Sequence, residues 1–166
     1  METEKNLQAA FAGESQANRK YLAFAKKAEE EKRPQIAKLF RAAAAAETIH
    51  AHSHLRVLKG VKSTAENLQE AVEGEAFEFQ KMYPEFLAKA KAENNRPAMV
   101  SFEYAMEVEK VHHALYSEAA QTLATGKDLP AKDIFVCEVC GHTHVGEAPD
   151  ECPVCGAKKS RFSKVD

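Results

Sequence analysis

The sequence is short of several features, and each shortage excludes a class of protein. No apolar run among its 166 residues approaches the roughly 18 residues that a membrane span needs. The first five residues, Met1 to Lys5, are largely charged where a secretory signal peptide would be apolar. Lys and Arg number 23 against 25 Asp and Glu, so the excess positive charge typical of nucleic-acid or membrane binding is missing. We expect a soluble, cytoplasmic protein with no nucleic-acid or membrane partner.

Cysteine and glycine are scarce in most of the chain. All four cysteines lie in the last 30 residues, and only three of the seven glycines precede Gly126. The earlier part is rich in Ala, Glu, Lys, Leu and Gln, which are strong helix formers. We predict a helical domain at 1–125, a linker at 126–133 and a small cysteine-containing domain at 134–166.

Breaks in the first part divide it into four helical segments, which predicts an all-α four-helix bundle. The predicted helices are 3–31, 34–59, 64–93 and 97–124. Pro34 and Pro97 suit the first position of a helix, where the missing N–H costs nothing. Ser63 and Glu66 have the spacing of a capping box, and Pro84 should kink the third helix.

The two halves of the helical part repeat each other. The matched segments are Gly13-Glu14 with Gly74-Glu75 at a shift of 61, Phe40 with Phe102 and Glu47-x-x-His50 with Glu109-x-x-His112 at a shift of 62, and Arg33-Pro34 with Arg96-Pro97 at a shift of 63. The drifts of one residue are interpreted as insertions or deletions in loops or bends. A repeat of helix pairs predicts that the matched residues occupy equivalent places in a two-fold arrangement.

Four glutamates fall on the apolar faces of their helices, although most glutamates here are expected to be solvated. They are Glu14, Glu47, Glu75 and Glu109, each flanked at helical spacing by apolar or aromatic side chains. Ionised carboxylates in a core are costly unless they are paired or bind a cation. His50 and His112 follow two of them by three residues, on the same face. One Glu from each of two helices plus Glu-x-x-His from two others is the di-iron or di-manganese pattern of ferritin-like bundles.

Further residues extend this predicted centre. Glu78 lies one turn after Glu75, where the first half has Ala17, so it is either an extra ligand on one side or a residue at the rim. Tyr21 and Tyr83 lie two turns beyond Glu14 and Glu75. They either hydrogen-bond a ligating carboxylate from outside or serve as core tyrosines.

The C-terminal cysteines form two Cys-x-x-Cys pairs. These are Cys137 with Cys140 and Cys152 with Cys155, each followed by glycine. Disulfides are the alternative, but a cytoplasmic chain and the paired spacing favour four thiolates around one metal, either iron or zinc.

Along its whole length the chain resembles the rubrerythrin family. The matching segments are Phe11-Ala-Gly-Glu14-Ser15-Gln16-Ala17, Glu47-x-x-His50, Gly74-Glu75-x-x-Glu78, Met82-Tyr83-Pro84-Glu85-Phe86, Glu109-Lys110-Val111-His112, Cys137-x-x-Cys140-Gly141 and Ala148-Pro149-Asp150-x-Cys152-Pro153-Val154-Cys155-Gly156. The resemblance implies a ferritin-like di-iron domain followed by a rubredoxin-like domain with one iron on four cysteines.

The activity implied by the resemblance is a non-haem di-iron peroxidase that reduces hydrogen peroxide to water in oxidative-stress defence. Electrons would come from NADH through a rubredoxin or a flavin reductase. Glu47 and Glu109 would bridge the irons, and the terminal ligands would be Glu14, Glu75, Glu78, His50 and His112. His50 and Glu78 would exchange at one iron with redox state. Dioxygen and organic peroxides stay open as oxidants.

The link at residues 60–63 spans only about 15 Å and cannot run back along the bundle. We therefore predict a homodimer in which each di-iron site combines helices one and two of one chain with helices three and four of another. Two other functions stay open: a ferritin-like iron oxidation or storage protein, and a binding module with a structural zinc ribbon. Both metal sites in one chain favour the reductase, because only iron on the four thiolates could carry electrons.

Overall fold

The computed structural model describes residues 1–166, which form two compact units, Met1–Lys62 and Ser63–Asp166. The first unit contains helices α1 (Glu2–Glu30) and α2 (Pro34–Val57). The second contains α3 (Thr64–Phe77), a π-helical turn (Glu78–Met82), α4 (Tyr83–Ala92), α5 (Arg96–Ala124) and strands β1 (Ile134–Cys137), β2 (Thr143–Val145) and β3 (Phe162–Val165). None of these helices is both long enough and apolar enough to cross a membrane.

The first unit is a hairpin of two long helices held by small buried side chains. Ala25, Ala37 and Ala44 are buried where α1 and α2 pack closely. The buried amide of Asn18 donates to the Ala44 carbonyl at 2.7 Å and to Thr48 Oγ1 at 2.8 Å. Because a buried polar group needs such partners, Asn18 fixes the register of the two helices.

The third predicted helix is interrupted in the structure. The capping box at its start is confirmed, since the Glu66 N–H donates to Ser63 Oγ and the Ser63 N–H donates to the Glu66 carboxylate. The helix then changes to a π turn at Glu78–Met82 and resumes as α4, with Pro84 in the first turn of α4. We expected a kink at Pro84, and the structure instead has a π turn just before this residue. The π turn accommodates one extra residue in the helix.

The π turn explains one drift in the repeat. Glu14 and Glu75 match at a shift of 61, whereas the aromatic clusters beyond them match at a shift of 62. Tyr21, Phe24 and Phe40 have ring centroids 6.3, 6.2 and 5.6 Å apart, and Tyr83, Phe86 and Phe102 have 6.2, 6.2 and 5.6 Å. The two hairpins therefore pack alike, and the inserted residue lies inside a helix.

The sequence match of Arg33-Pro34 with Arg96-Pro97, at a shift of 63, does not pair structurally equivalent residues. Arg33 and Asn95 are the N-cap residues of α2 and α5, and Lys32 and Asn94 before them both have positive φ, 57° and 54°. All these pairs differ by 62. Pro34 is the first residue of α2 as predicted, but Pro97 is the second residue of α5 because Asn95 caps one residue earlier than expected.

The C-terminal part is a three-stranded antiparallel sheet in the order β2-β1-β3. Val136 pairs with Thr143 on one side and with Ser163 on the other. Within the second unit, strand β2 contacts helix α5. This contact brings the cysteine-containing sheet next to the glutamates and histidines of that helix.

Candidate metal centres

Helices α3 and α5 bring one glutamate–histidine set together. His112 Nδ1 lies 2.7 Å from Glu109 Oε2 and 3.8 Å from Glu75 Oε1. All three side chains are half-buried, and their nearest ligand atoms lie within 4.8 Å of one another. The three-residue spacing puts Glu109 and His112 on one face of α5, so the set is shaped to hold a cation.

The equivalent set in the first unit has the same geometry. Glu14 on α1 and Glu47 and His50 on α2 also have ligand atoms within 4.8 Å of one another, and His50 Nδ1 lies 3.0 Å from Glu47 Oε2. The two sets differ in exposure, because 56% of the His50 side chain is accessible against 26% of His112. Each predicted half of the di-iron centre is thus assembled within one helical hairpin.

The closeness of these carboxylates to one another suits a cation. A side-chain hydrogen bond joins Glu14 to Glu47, and another joins Glu75 to Glu109. Burial, followed by the hydrogen bond and charge of Glu109, raises the pKa of Glu75 to about 7. The hydrogen bond to Glu47 raises the pKa of Glu14 and lowers that of Glu47. Carboxylates that must otherwise share protons gain most from a multivalent cation.

Glu78 lies beside the second set but outside its three ligand atoms. It opens the π turn, and its charge contributes to the raised pKa of Glu75. Burial and then the Glu109 charge raise the pKa of Glu78, while His112 opposes them. A π turn at this point is consistent with an adjustable ligand, since π turns are frequent at functional sites.

The two tyrosines occupy equivalent places in the aromatic clusters. Tyr21 packs on Phe24 and Phe40 within the first unit. Burial and the charges of Glu78, Glu109 and Glu75 raise the pKa of Tyr83, which keeps its hydroxyl protonated and able to donate. The contacts that the structure gives these rings are aromatic ones, so hydrogen bonding to a ligating carboxylate stays a prediction.

The four cysteines form the second centre. The Sγ atoms of Cys137 and Cys155 are 3.7 Å apart, those of Cys140 and Cys152 are 3.6 Å apart, and all four thiols are free. A disulfide would need about 2.05 Å. Four sulfurs about 2.3 Å from a central metal would be about 3.8 Å apart, so the set fits a tetrahedral ion.

Backbone N–H groups point at these sulfurs. Cys140 accepts a hydrogen bond from the N–H of His142, and Cys155 accepts one from Ala157. The residues between, Gly141 and Gly156, have φ of 85° and 73°, a conformation that favours glycine. The glycines after each Cys-x-x-Cys pair therefore allow donors to face the sulfurs.

Two residues near this centre were not predicted as site residues. His142 is only 6% exposed and neither of its ring nitrogens has a hydrogen-bond partner. Burial lowers the pKa of His142, so the ring is neutral. Thr143 Oγ1 lies 2.9 Å from His112 Nε2, linking residues 31 positions apart that no local spacing relates.

Comparison with known proteins agrees with both centres. The family model described as rubrerythrin matches residues 5–120, and the model of the rubredoxin-like domain of rubrerythrin matches residues 135–163. The chain belongs to the rubrerythrin family. Among rubrerythrins, Rubrerythrin-2 of Clostridium acetobutylicum is 36% identical over 94% of this chain and 92% of its own length. Nigerythrin of Nitratidesulfovibrio vulgaris is 38% identical over 97% of this chain and 85% of its own length.

Solved structures of nigerythrin extend the likeness to three dimensions. Two structures of nigerythrin, one partially reduced and one fully reduced (all ferrous), are compared with this rubrerythrin family member. Each is 35% identical in sequence and has a TM-score of 0.59. The matches cover 98% of this chain and 86% of the other. The ferritin-like fold class with a C-terminal rubredoxin-like part is confirmed. The chain carries a carboxylate–histidine candidate for a di-iron site and a four-cysteine rubredoxin-like site.

Proposed function

We propose that the protein is a hydrogen peroxide reductase that supplies two electrons and two protons to each peroxide and releases two waters. The observation that carries this proposal is the presence of both metal centres in one chain, with the four-sulfur centre next to helix α5. Two irons held by the carboxylates and histidines would supply one electron each. A storage protein would have no use for a one-electron carrier beside its iron.

The residues of the helical centre have distinct parts in this proposal. Glu47 and Glu109 would each be shared by both irons, and Glu14, Glu75, Glu78, His50 and His112 would each hold one of them. The π turn at Glu78 supports an exchange between His50 and Glu78, because π turns are frequent at functional sites and one at Glu78 suits an adjustable ligand. The remaining ligands lie in the regular parts of the helices and keep their positions.

The cysteine centre would hold the iron that supplies single electrons to the helical centre. Iron on Cys137, Cys140, Cys152 and Cys155 would receive electrons from NADH through a rubredoxin or a flavin reductase. The free thiols support a reducing compartment, so we place the reaction in the cytoplasm. The division into residues 1–125, 126–133 and 134–166 belongs to this proposal and is supported by α5 ending at Ala124 and β1 beginning at Ile134.

We also propose that the active form is a domain-swapped homodimer. The link at residues 58–63 spans at most about 21 Å at roughly 3.5 Å per residue. Helix α2, with 24 residues, is about 36 Å long, so the link is too short to run back along it. One chain would therefore supply Glu14, Glu47 and His50, and its partner would supply the other half of the same site.

Peroxide turnover tests the activity. Hydrogen peroxide added to the iron-loaded protein with NADH and a rubredoxin-coupled reductase should consume one NADH per peroxide. The C152S variant should lose this NADH-coupled turnover. Accumulation of many irons per chain in a large shell, without peroxide turnover, would contradict the proposal and support a storage protein.

Complementation tests the swap. E47Q damages the half-site of the first unit, and E109Q damages the half-site of the second. In a swapped heterodimer of these variants one site has both substitutions and the other has neither, so about half of the wild-type activity should return. If each chain builds its own site, both sites stay damaged and the mixed dimer is as inactive as either parent. A wild-type protein that sediments as a monomer with an intact di-iron centre would also contradict the swap.

A further inference from the structure

The ring of His112 is held at both of its nitrogens. Nδ1 faces Glu109 and Glu75, whereas Nε2 lies 2.9 Å from Thr143 Oγ1. The Thr143 hydroxyl in turn donates to the Gly141 carbonyl at 3.5 Å. The Thr143 oxygen can therefore accept a hydrogen bond from the Nε2–H that His112 carries when Nδ1 binds a metal.

We propose that Thr143 is a positioning residue that fixes the ring of His112 in the orientation in which Nδ1 can bind a metal. In this orientation Nδ1 lies 2.7 Å from Glu109 Oε2, so it donates its hydrogen to that carboxylate without a cation and can offer its lone pair when a cation binds. Partners of this kind on the far nitrogen of a ligating histidine set its tautomer, and their loss typically weakens metal binding about 10–100-fold. The effect of Thr143 on metal binding rests on the proposed function, whereas its hydrogen bond with His112 does not depend on that function.

The partner of His112 comes from the cysteine centre rather than from the helices. Thr143 follows His142, whose backbone N–H donates to Cys140 Sγ. A single continuous path therefore runs from a sulfur of one centre to a ring nitrogen of the other, with one hydrogen bond at each end. Because a module of this size depends on its metal for folding, the orientation of His112 also depends on the cysteine centre being loaded.

The repeat makes this arrangement one-sided. His50 is the equivalent of His112, and the hydrogen bond that the structure gives it is the one with Glu47. No cysteine module follows α2 in the chain. Thr143 thus distinguishes two histidines that the helices present in the same way, because His112 has a partner at Nε2 and the bond given to His50 is at Nδ1.

The ring position of His112 tests the proposal without any peroxide chemistry. The full chain is loaded with one zinc per four-cysteine site, and the side-chain ¹H and ¹⁵N signals of His112 are assigned by their loss in H112Q. Wild type and T143S should show one set of ring signals, with a nuclear Overhauser contact between the ring and residue 143. T143V, which keeps the shape and the strand propensity but removes the hydroxyl, should show more than one set of ring signals. S163A removes a hydroxyl from β3, which β1 separates from β2, and is the matched control that should leave His112 unchanged.

Metal affinity provides the second readout. Cobalt(II) titrated into the helical centre of the zinc-loaded protein should bind T143V about 10–100-fold more weakly than wild type, T143S and S163A. If T143V disturbs the amide spectrum of the sheet, T143A replaces it. Unchanged ring signals and an unchanged affinity in the folded variant would overturn the proposal. Changed ring signals in a protein that proves inactive toward peroxide would support the proposal and refute only the proposed function.

Discussion

Glu75 on α3 and Glu109 on α5 share a side-chain hydrogen bond, and the repeat places the same bond between Glu14 and Glu47. Two carboxyl groups in such contact are costly to ionise together, so the pKa of one carboxyl in each pair, Glu75 and Glu14, is raised and that group keeps its proton to a higher pH. Metal binding at these pairs must therefore displace protons. The consequence is a dependence on pH that belongs to the helical centre.

The pH dependence of stability should show this proton. Because the pKa of Glu75 rises from 4.5 in the unfolded chain to about 7 in the folded one, the unfolded chain releases its proton first. For chelator-treated protein the free energy of unfolding should fall as pH rises from 4.5 to 7 and level off above 7. E75Q should lose this part of the slope, as measured by denaturant unfolding across the range.

E103Q is the matched control, because Glu103 lies on the exposed face of the same helix as Glu109. It should keep the wild-type slope. The assignment to Glu75 would be wrong if E75Q and E103Q gave the same dependence on pH.

Glu78 should matter for turnover more than for metal content. It lies outside the three ligand atoms of its set and at the start of the π turn, so the other ligands can hold both irons without it. We expect E78Q to retain two irons in the helical centre and to lower kcat for peroxide by about 10–100-fold. Iron analysis and stopped-flow kinetics measure the two quantities, and E85Q, on the exposed side of α4, serves as the control. Loss of iron in E78Q would assign it a structural role instead.

Loss of one cysteine should unfold the small sheet and leave the helices intact. The sulfurs are placed for a metal, and the three short strands have little core apart from the cysteines, His142 and Ala148. In C152S the amide signals of β1, β2 and β3 should collapse to unfolded positions. Helical circular dichroism should change little. A sheet that stays folded in C152S would show that the metal is not its main source of stability.

The sequence predicted most of this architecture because the repeat and the cysteine spacing are local patterns. Glu-x-x-His puts two side chains on one helical face whatever the tertiary structure, and Cys-x-x-Cys with a following glycine builds the same turn in many proteins. The structure assembles each glutamate–histidine set within its own helical hairpin. The role of these residues as iron ligands stays a prediction.

The features that the sequence could not predict depend on single residues or distant contacts. The π turn at Glu78–Met82 inserts one residue into a helix without changing its composition, so only the drift in the repeat marks it. The Arg-Pro match at a shift of 63 was misleading because the two Arg-Pro pairs differ by one position relative to the starts of α2 and α5. Thr143 meets His112 only after the sheet has packed on α5.

A visible spectrum of the purified protein tests the central claim most directly. The protein is reduced anaerobically, and hydrogen peroxide is then added while the thiolate-to-iron bands are followed. If electrons pass from the four-cysteine iron to the di-iron centre, the bands bleach on reduction and return rapidly with peroxide. A protein without these bands, or with bands that peroxide does not restore, would contradict the electron relay and with it the proposed reductase.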